Sequence, residues 1–245
     1  MSFIDKIFGR KKKVLKSSFS QPTQQTRTTA SDQSSSQQPH VRNSDNSPKT
    51  FQLSQLKNID LGANYSMTPI DASIFDPSSK DLFMIHLLSS MDVHIQKYLP
   101  TLDFSSIESI QKTLMKIIMQ TELGLCFAYA FRIGRGIAGM VFVNTPILNQ
   151  AINFPHWTVD FFLFSPFRGQ QFMPRILLGL FLFLKDVMHI GEIYATVDTN
   201  NTSCNKMIDN CLFFKKQPNL SFTDPSTGKK AIAYKCDISS LKTPF

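Results

Sequence analysis

A polar turn between two apolar runs holds the residues best suited to bind a ligand. Trp157 to Phe164 has the character of a buried strand, Phe172 to Leu184 that of a buried helix, and Arg-Gly-Gln-Gln stands between them at 168–171. The first N–H groups of a helix have no partner inside the helix, and the helix dipole adds partial positive charge there. The junction therefore predicts a site for an anionic group such as a phosphate.

A second junction of strand and helix follows directly in the sequence. Ile193 to Val197 has strand character, and Asn201 begins a segment that ends in the aromatic pair Phe213 and Phe214. An asparagine at such a place either contacts a bound cofactor or caps the helix, and capping is the commoner role. Both alternatives stay open for Asn201 at this point.

This order of strand, arginine-containing turn, apolar helix, strand and asparagine-led helix resembles the acetyl-coenzyme A half of the GNAT-fold N-acetyltransferases. The branch it resembles most acetylates protein N-termini and similar amines, and the resemblance is best from Phe164 to Phe214. It implies that acetyl-coenzyme A lies between two strands that diverge just past Phe164, with its diphosphate over the turn. The cofactor-binding residues carried over from the family pattern are Leu163, Phe164, Arg168, Gly169, Gln170, Gln171, Phe172, Met173 and Asn201.

Several positions depart from that pattern. Gln171 replaces a glycine that lets the backbone approach the diphosphate closely, and Met173 replaces a small residue. Leu212 replaces a second glycine, and Ile208 replaces a tyrosine that serves some family members as general acid. These departures leave two alternatives to an active acetyltransferase. The turn at 168–171 is an ordinary turn in an α/β core, or the domain has the same fold but is catalytically inactive and acts as a binding or scaffold module.

The chemistry that the resemblance implies requires few catalytic groups. Acetyl transfer from a thioester to an amine depends on orientation, on stabilisation of the carbonyl oxygen and on a route for the amine proton. A single base acting through water can supply that route. By analogy with an acidic residue on the same strand of relatives, Asp160 is the candidate base. The sequence leaves open which face of the sheet its side chain is on. Glu122 is a weaker substitute for the same role. The scattered histidines and cysteines predict no metal site.

The elements around the site follow from apolar spacing and turn residues. Gly134 and Gly136 indicate a hairpin between two β-rich runs, and no strand is predicted between Phe214 and Ala231. Helices first, then a hairpin and a strand-helix-strand unit predict an α/β domain with a mixed, mostly antiparallel sheet flanked by helices, which is the GNAT fold. The predicted strands are Tyr65–Ile70, Leu123–Ile133, Ile137–Val143 and Ala231–Cys236, and the predicted helices run from Asp76 or Ser79 to Ser90, from Met91 to Leu99 and onward from Ser105.

The net charge of +8 is concentrated at the N-terminus. Residues 1–50 hold nine Lys or Arg against three Asp, so the rest of the chain carries only +2. Residues 1–16 combine an apolar helical face with a basic cluster, which favours an anionic membrane surface or a partner, although a solvated basic start is the alternative. Residues 17–50 are rich in Ser, Gln and Thr and predict a disordered linker, which leaves 51–245 as the folded domain.

The sequence also bounds the setting of the protein. The cysteines Cys126, Cys204, Cys211 and Cys236 lack a paired short spacing, and no secretory signal is recognised, which favours a cytoplasmic protein, with peripheral attachment at the inner face of a membrane as an option. Because the basic charge lies on the tail and not on the fold, nucleic acid is not an expected partner. The acceptor amine has no readable signature.

Overall fold

The structure is a computed structural model, and it describes residues 56–150, 152–223 and 229–242. The predicted segments 1–16 and 17–50, with their membrane and linker roles, lie outside the described residues. No helix in the described ranges is long and apolar enough to cross a bilayer.

A mixed sheet forms the centre of the described domain. Its strands lie in the order β1-β2-β3-β4-β5-β6-β8-β7, and every neighbouring pair is antiparallel except β5 and β6, which are parallel. The predicted fold class is thereby confirmed. The strands are β1 (Ile59–Gly62), β2 (Tyr65–Pro69), β3 (Cys126–Ile133), β4 (Gly136–Asn144), β5 (Thr158–Leu163), β6 (Glu192–Asp198), β7 (Phe214–Thr223) and β8 (Lys230–Asp237).

Helices cover both faces of this sheet. Three of them precede β3 and pack on one face, where Ile110, Leu114 and Ile117 of α3 are buried at helical spacing. The two helices that flank β6 in sequence pack on the other face. The helices are α1 (Asp81–Ser90), α2 (Val93–Tyr98), α3 (Ile107–Glu122), α4 (Pro146–Gln150), α5 (Phe172–Met188) and α6 (Thr202–Asp209), and short 3₁₀ turns lie at Ala72–Phe75, Ser165–Phe167 and Ile238–Ser240.

Alternation along the central strands assigns their side chains to the two faces. Val159 and Leu163 of β5 pack in the core that contains Leu177 of α5. Phe162 and Phe164 pack in the core formed with α1 and α3. Asp160 shares the facing of Phe162, so its side chain lies on the α1–α3 side of the sheet.

Three elements differ from the predictions. Phe214–Thr223, predicted as a loop, is the edge strand β7, whose pairing with β8 is irregular between Gln217 and Phe222. Pro218 and the polar composition of this segment indicated a loop. An edge strand tolerates both proline and exposed side chains, so neither feature excludes a strand here. Strand β1 and helix α4 were not predicted at all, since each is too short to show a periodic pattern.

The helix starts also differ in detail. Helix α1 begins at Asp81, and its N-cap is Lys80 at φ 58°, while Asp76 accepts the N–H of Ser78 in a separate turn. Ser106, and not Ser105, caps α3 by accepting the N–H of Ser109 at 3.1 Å. Both differences are shifts of a few residues at a helix start, where the sequence specifies the boundary least precisely.

Candidate functional site

Strands β5 and β6 separate immediately after they meet. Their pairing consists of Thr158 with Tyr194, and the N–H of Tyr194 donates to the carbonyl of Trp157 at 2.8 Å. In the described residues, no further pair joins the two strands from Val159 onward. The sequence predicts that the strands diverge just past Phe164, whereas in the structure they diverge well before it.

One edge of this gap is the side of β5 that, in the described residues, has no strand paired with it beyond Thr158. The N–H of Phe164 donates to the carbonyl of Ala138 on β4 at 3.0 Å, so Phe164 directs its N–H away from the gap. Because successive residues of a strand direct their backbone groups to opposite edges, Phe161 and Leu163 direct theirs into it. The structure thus places Leu163 at the gap and turns the backbone of Phe164 toward β4.

The turn after β5 leads into the N-terminus of α5. Gly169 and Gln171 both adopt left-handed backbone conformations, with φ of 75° and 57°. Helix α5 begins at Phe172, and the side chain of its N-cap, Gln171, does not cap it. The exposed turn at 169–171 and the start of α5 therefore present helix N-terminal amides, the arrangement that binds phosphate groups. Met173 is buried in the core beneath them.

The side chain of Arg168 holds this turn in place. Its Nη2 lies 2.6 Å from Oδ2 of Asp92, and its Nε donates to the carbonyl of Leu163 at 2.8 Å. Asp92 also accepts the N–H of Ser165 at 3.1 Å and that of His94, the latter as N-cap of α2. The guanidinium of Arg168 is therefore bound within the protein, and its predicted contact with a cofactor stays a prediction.

A cavity of about 240 Å³ lies beside the gap on the α1–α3 side of the sheet. Asp160 lines it, and Nδ2 of Asn144 donates to Oδ2 of Asp160 at 2.9 Å. Burial raises the pKa of Asp160, and the hydrogen bond from Asn144 opposes that rise. The candidate base accordingly lines a cavity next to the place where the strands part.

Several polar residues of this cavity, Gln120 among them, were not predicted from the sequence. Gln120 is fully buried, and its Oε1 accepts a weak hydrogen bond from the thiol of Cys126 at 3.5 Å. Burial and the charge of Asp160 raise the pKa of Cys126 to about 12, so this thiol is not a nucleophile at neutral pH. The available signal for Gln120 was its place three residues after Ile117, on the buried stripe of α3.

The remaining predicted residues lie as follows. Asn201 caps α6, because its Oδ1 accepts the N–H of Cys204 at 3.2 Å, so its cofactor contact stays a prediction. Glu122 is exposed at the end of α3 and does not line the cavity. Ile208 is fully buried. No group of three or more His, Cys, Asp or Glu side chains in the described part of the chain is placed to hold a metal ion.

Known protein families and curated sequences offer no match to this chain. Solved structures do. RimL, a ribosomal L7/L12 α-N-protein acetyltransferase in complex with coenzyme A, aligns with a TM-score of 0.58 at 16% identity, over 76% of this chain and 100% of that one. RimJ of Mycobacterium smegmatis in complex with CoA-disulfide aligns with a TM-score of 0.60 at 10% identity, over 76% and 90% of the two chains.

A third similar structure is the ribosomal-protein-S5-alanine acetyltransferase from Vibrio fischeri, with a TM-score of 0.53 at 15% identity, over 76% of this chain and 100% of that one. Each of these proteins is aligned over nearly its whole length, so the likeness covers a complete domain and not a shared fragment. Together with the parted strands β5 and β6, these alignments show that the chain has the fold of the GNAT N-acetyltransferases.

Proposed function

We propose that this protein is an N-acetyltransferase that moves an acetyl group from acetyl-coenzyme A to a primary amine. The observation that carries the proposal is the gap between β5 and β6, where pairing ends at Thr158 and Tyr194. A regular sheet would saturate these backbone groups, whereas here, among the described residues, the backbone groups of Phe161 and the N–H of Leu163 have no strand opposite them to pair with, and the carbonyl of Leu163 is bound by Nε of Arg168.

The parts of the site suit the parts of this substrate. The amide-containing arm of coenzyme A would pair with the strand edge at Phe161 and Leu163, as an added strand does. Its diphosphate would accept hydrogen bonds from the amides of the turn at 169–171 and of Phe172 and Met173. Pro174 lacks an N–H, and at this place in a helix the loss removes no intrahelical bond.

Asp160 is the residue to which we assign the proton transfer. An amine in water is mostly protonated, and it must lose a proton before its nitrogen can attack the thioester carbon. A carboxylate whose pKa is raised by burial is a better base near neutral pH than an exposed one. One proton of the ammonium passes to Asp160 directly or through water, and the free amine attacks the thioester carbon. As the C–N bond forms and the C–S bond breaks, the second proton leaves the nitrogen and passes through water to the departing thiolate.

An inactive scaffold of the same fold is the competing function, and two observations favour it. Ile208 is buried and supplies no acid, and Gln171 places a side chain where a glycine would leave room. Titration calorimetry with acetyl-coenzyme A separates the two functions. An enzyme is expected to bind one equivalent with a dissociation constant in the micromolar range, whereas an absence of heat at high micromolar ligand would leave only the scaffold.

Gln171→Gly is expected to tighten the binding of acetyl-coenzyme A by about three- to tenfold. Glycine presents no Cβ or side chain to the diphosphate, so its backbone can approach the ligand more closely. Gln171 already holds a left-handed conformation, which costs a residue with a side chain about 1–2 kcal/mol, so the substitution should also raise folding stability. The dissociation constant from calorimetry is the measurement. Lys80→Gly, at the exposed left-handed N-cap of α1 away from the site, is the matched control and is expected to leave the affinity unchanged. Equal affinities for wild type and Gln171→Gly would show that this side chain does not obstruct the site.

We further propose that residues 1–16 attach the protein reversibly to an anionic membrane surface. The apolar residues Phe3, Ile4, Ile7 and Phe8 precede the basic cluster at 10–13, and each basic residue near such a surface contributes about 1 kcal/mol. Sedimentation with vesicles that contain an anionic phospholipid is expected to remove the full chain from solution at low salt and to leave a chain lacking residues 1–16 behind. Equal sedimentation of the two would end this proposal.

A further inference from the structure

One end of the cavity that contains Asp160 is rich in lysine. Lys97, Lys229 and Lys230 all line it. The hydroxyl of Tyr98 donates to the carbonyl of Asn200 at 3.4 Å, and the N–H of Thr199 donates to the carbonyl of Lys230 at 3.0 Å. These two contacts bring the end of α2 and the start of β8 to the same loop after β6, so Lys97 and Lys230 lie at one end of the cavity.

The charges around this cavity are not balanced. Of its lining residues in the described part of the chain, only Asp160 and Asp198 are acidic. Asp198 lies 3.5 Å from the ammonium of Lys229, so that pair is matched. Lys97 and Lys230 therefore give this end of the cavity a net positive charge, and burial disfavours the charged form of Asp160.

The lysine-rich end is separated from Asp160 along the strand direction. Thr158 is paired with Tyr194 in a parallel register, so Asp160 lies level with Thr196 across the gap. Asp198 and its partner Ala231 lie two residues further along, which is about 7 Å at the rise of a strand. Lys230 directly precedes Ala231 and lies at that far end.

We infer that the acceptor is a primary amine that also carries an anionic group, a carboxylate or a phosphate, about 7 Å or more from its nitrogen. The amine lies at Asp160, the anion at Lys97 and Lys230, and the connecting atoms contact the apolar walls at Leu102, Phe142 and Leu148. Lys97 and Lys230 are thus specificity-determining residues. This inference rests on the proposed function, because it identifies the second substrate of the same site.

Two matched pairs of amines test the inference and distinguish the source of the anion. The first pair is 6-aminohexanoate and hexylamine, and the second is the peptide amides Ala-Asp-Asp and Ala-Asn-Asn. Binding of each to the full chain, with coenzyme A present, is measured by competition or by ligand-observed NMR at low salt. In at least one pair the anionic member is expected to bind about tenfold more tightly, which corresponds to about 1.4 kcal/mol. The pair that shows the preference identifies a small amino acid or an acidic peptide as the source.

Substitutions then assign the preference to the two lysines. Lys97→Gln combined with Lys230→Gln keeps much of each side chain but removes the charges, and it is expected to reduce the preference to less than threefold. Lys112→Gln with Lys116→Gln removes two exposed lysines of α3 that do not line the cavity, and it should leave the preference unchanged. Equal binding of both members in both pairs, or a preference that survives the first double substitution, would overturn the inference.

Failure of this inference can be distinguished from failure of the proposed function. Calorimetry with acetyl-coenzyme A reports on the gap between β5 and β6, whereas the amine pairs report on the cavity. A protein that binds acetyl-coenzyme A but shows no preference between the paired amines refutes the acceptor assignment alone. A protein that shows the preference but binds no acetyl-coenzyme A has the anion-binding site at Lys97 and Lys230 but is not an acetyltransferase.

Discussion

Asp160→Asn is expected to lower kcat for acetyl transfer by about 10²- to 10⁴-fold, the range for loss of a positioned base. The dissociation constant of acetyl-coenzyme A should stay within about twofold, because Asp160 faces the cavity on the α1–α3 side and not the turn that would hold the diphosphate. The substitution keeps the shape of the side chain and its ability to accept the hydrogen bond from Asn144. Steady-state kinetics together with calorimetry separates these two effects.

The pH dependence gives the same substitution a second readout. Burial raises the pKa of Asp160 above its usual 3.8, so the carboxyl becomes protonated, and the wild-type rate falls, as pH decreases through that raised value. Asp160→Asn should lack this limb of the profile. Asp186→Asn, at an exposed position of α5, is the control and should retain it. A wild-type limb that persists in Asp160→Asn would assign the proton transfer to another group.

Asp160 is also expected to lower the stability of the protein at neutral pH. A carboxyl with a raised pKa binds its proton more tightly in the folded state than in the unfolded state, so folding stability decreases as pH rises from 3.8 toward the raised value and stays lower above it. Asp160→Asn removes this loss and should raise Tm at pH 7, with a difference that shrinks toward pH 4. A Tm at pH 7 below that of the wild type would contradict a raised pKa for Asp160.

Asp92→Ala is expected to cost about 2–4 kcal/mol of folding stability and to weaken acetyl-coenzyme A binding by at least about tenfold. The side chain of Asp92 is fully buried, and it binds the guanidinium of Arg168 and the N–H groups of His94 and Ser165. Its removal leaves Arg168 without its charge partner and releases the turn after β5. Denaturant unfolding and calorimetry with acetyl-coenzyme A measure the two losses.

The matched control for this change is Asp71→Ala. Asp71 also caps a turn, at the start of the 3₁₀ segment Ala72–Phe75, but it is exposed and accepts only the N–H and the hydroxyl of Ser73. Its loss is expected to cost about 1 kcal/mol or less and to leave ligand binding unchanged. If Asp92→Ala binds acetyl-coenzyme A as tightly as the control, the turn does not depend on this ion pair.

The location of the site was predictable from the sequence because its components are local. The turn at 168–171 lies between two long apolar runs, and such runs fix a strand and a helix through their length and composition. The register of β5 could not be predicted in this way, because it depends on pairing with a strand elsewhere in the sequence. Whether Asp160 faces the cavity depends on which residues of β4 lie opposite it, and Phe142 takes that position only in the folded sheet.

The partner of Arg168 could not be predicted for a similar reason. Asp92 precedes it by 76 residues, and an aspartate before a short helix indicates a cap and nothing more. Gln120 and Asn144 likewise became visible only when α3 and β4 were placed beside β5. Polar residues on otherwise apolar faces were the available signal, and they indicate a pocket only when several of them converge.

The gap between β5 and β6 is tested most directly by a crystal structure of the protein with coenzyme A. The amide-containing arm is expected between the two strands, with hydrogen bonds to the backbone of Phe161 or to the N–H of Leu163, and the diphosphate is expected on the amides at 169–173. Strands paired beyond Thr158 and Tyr194, or coenzyme A bound outside the gap, would contradict it.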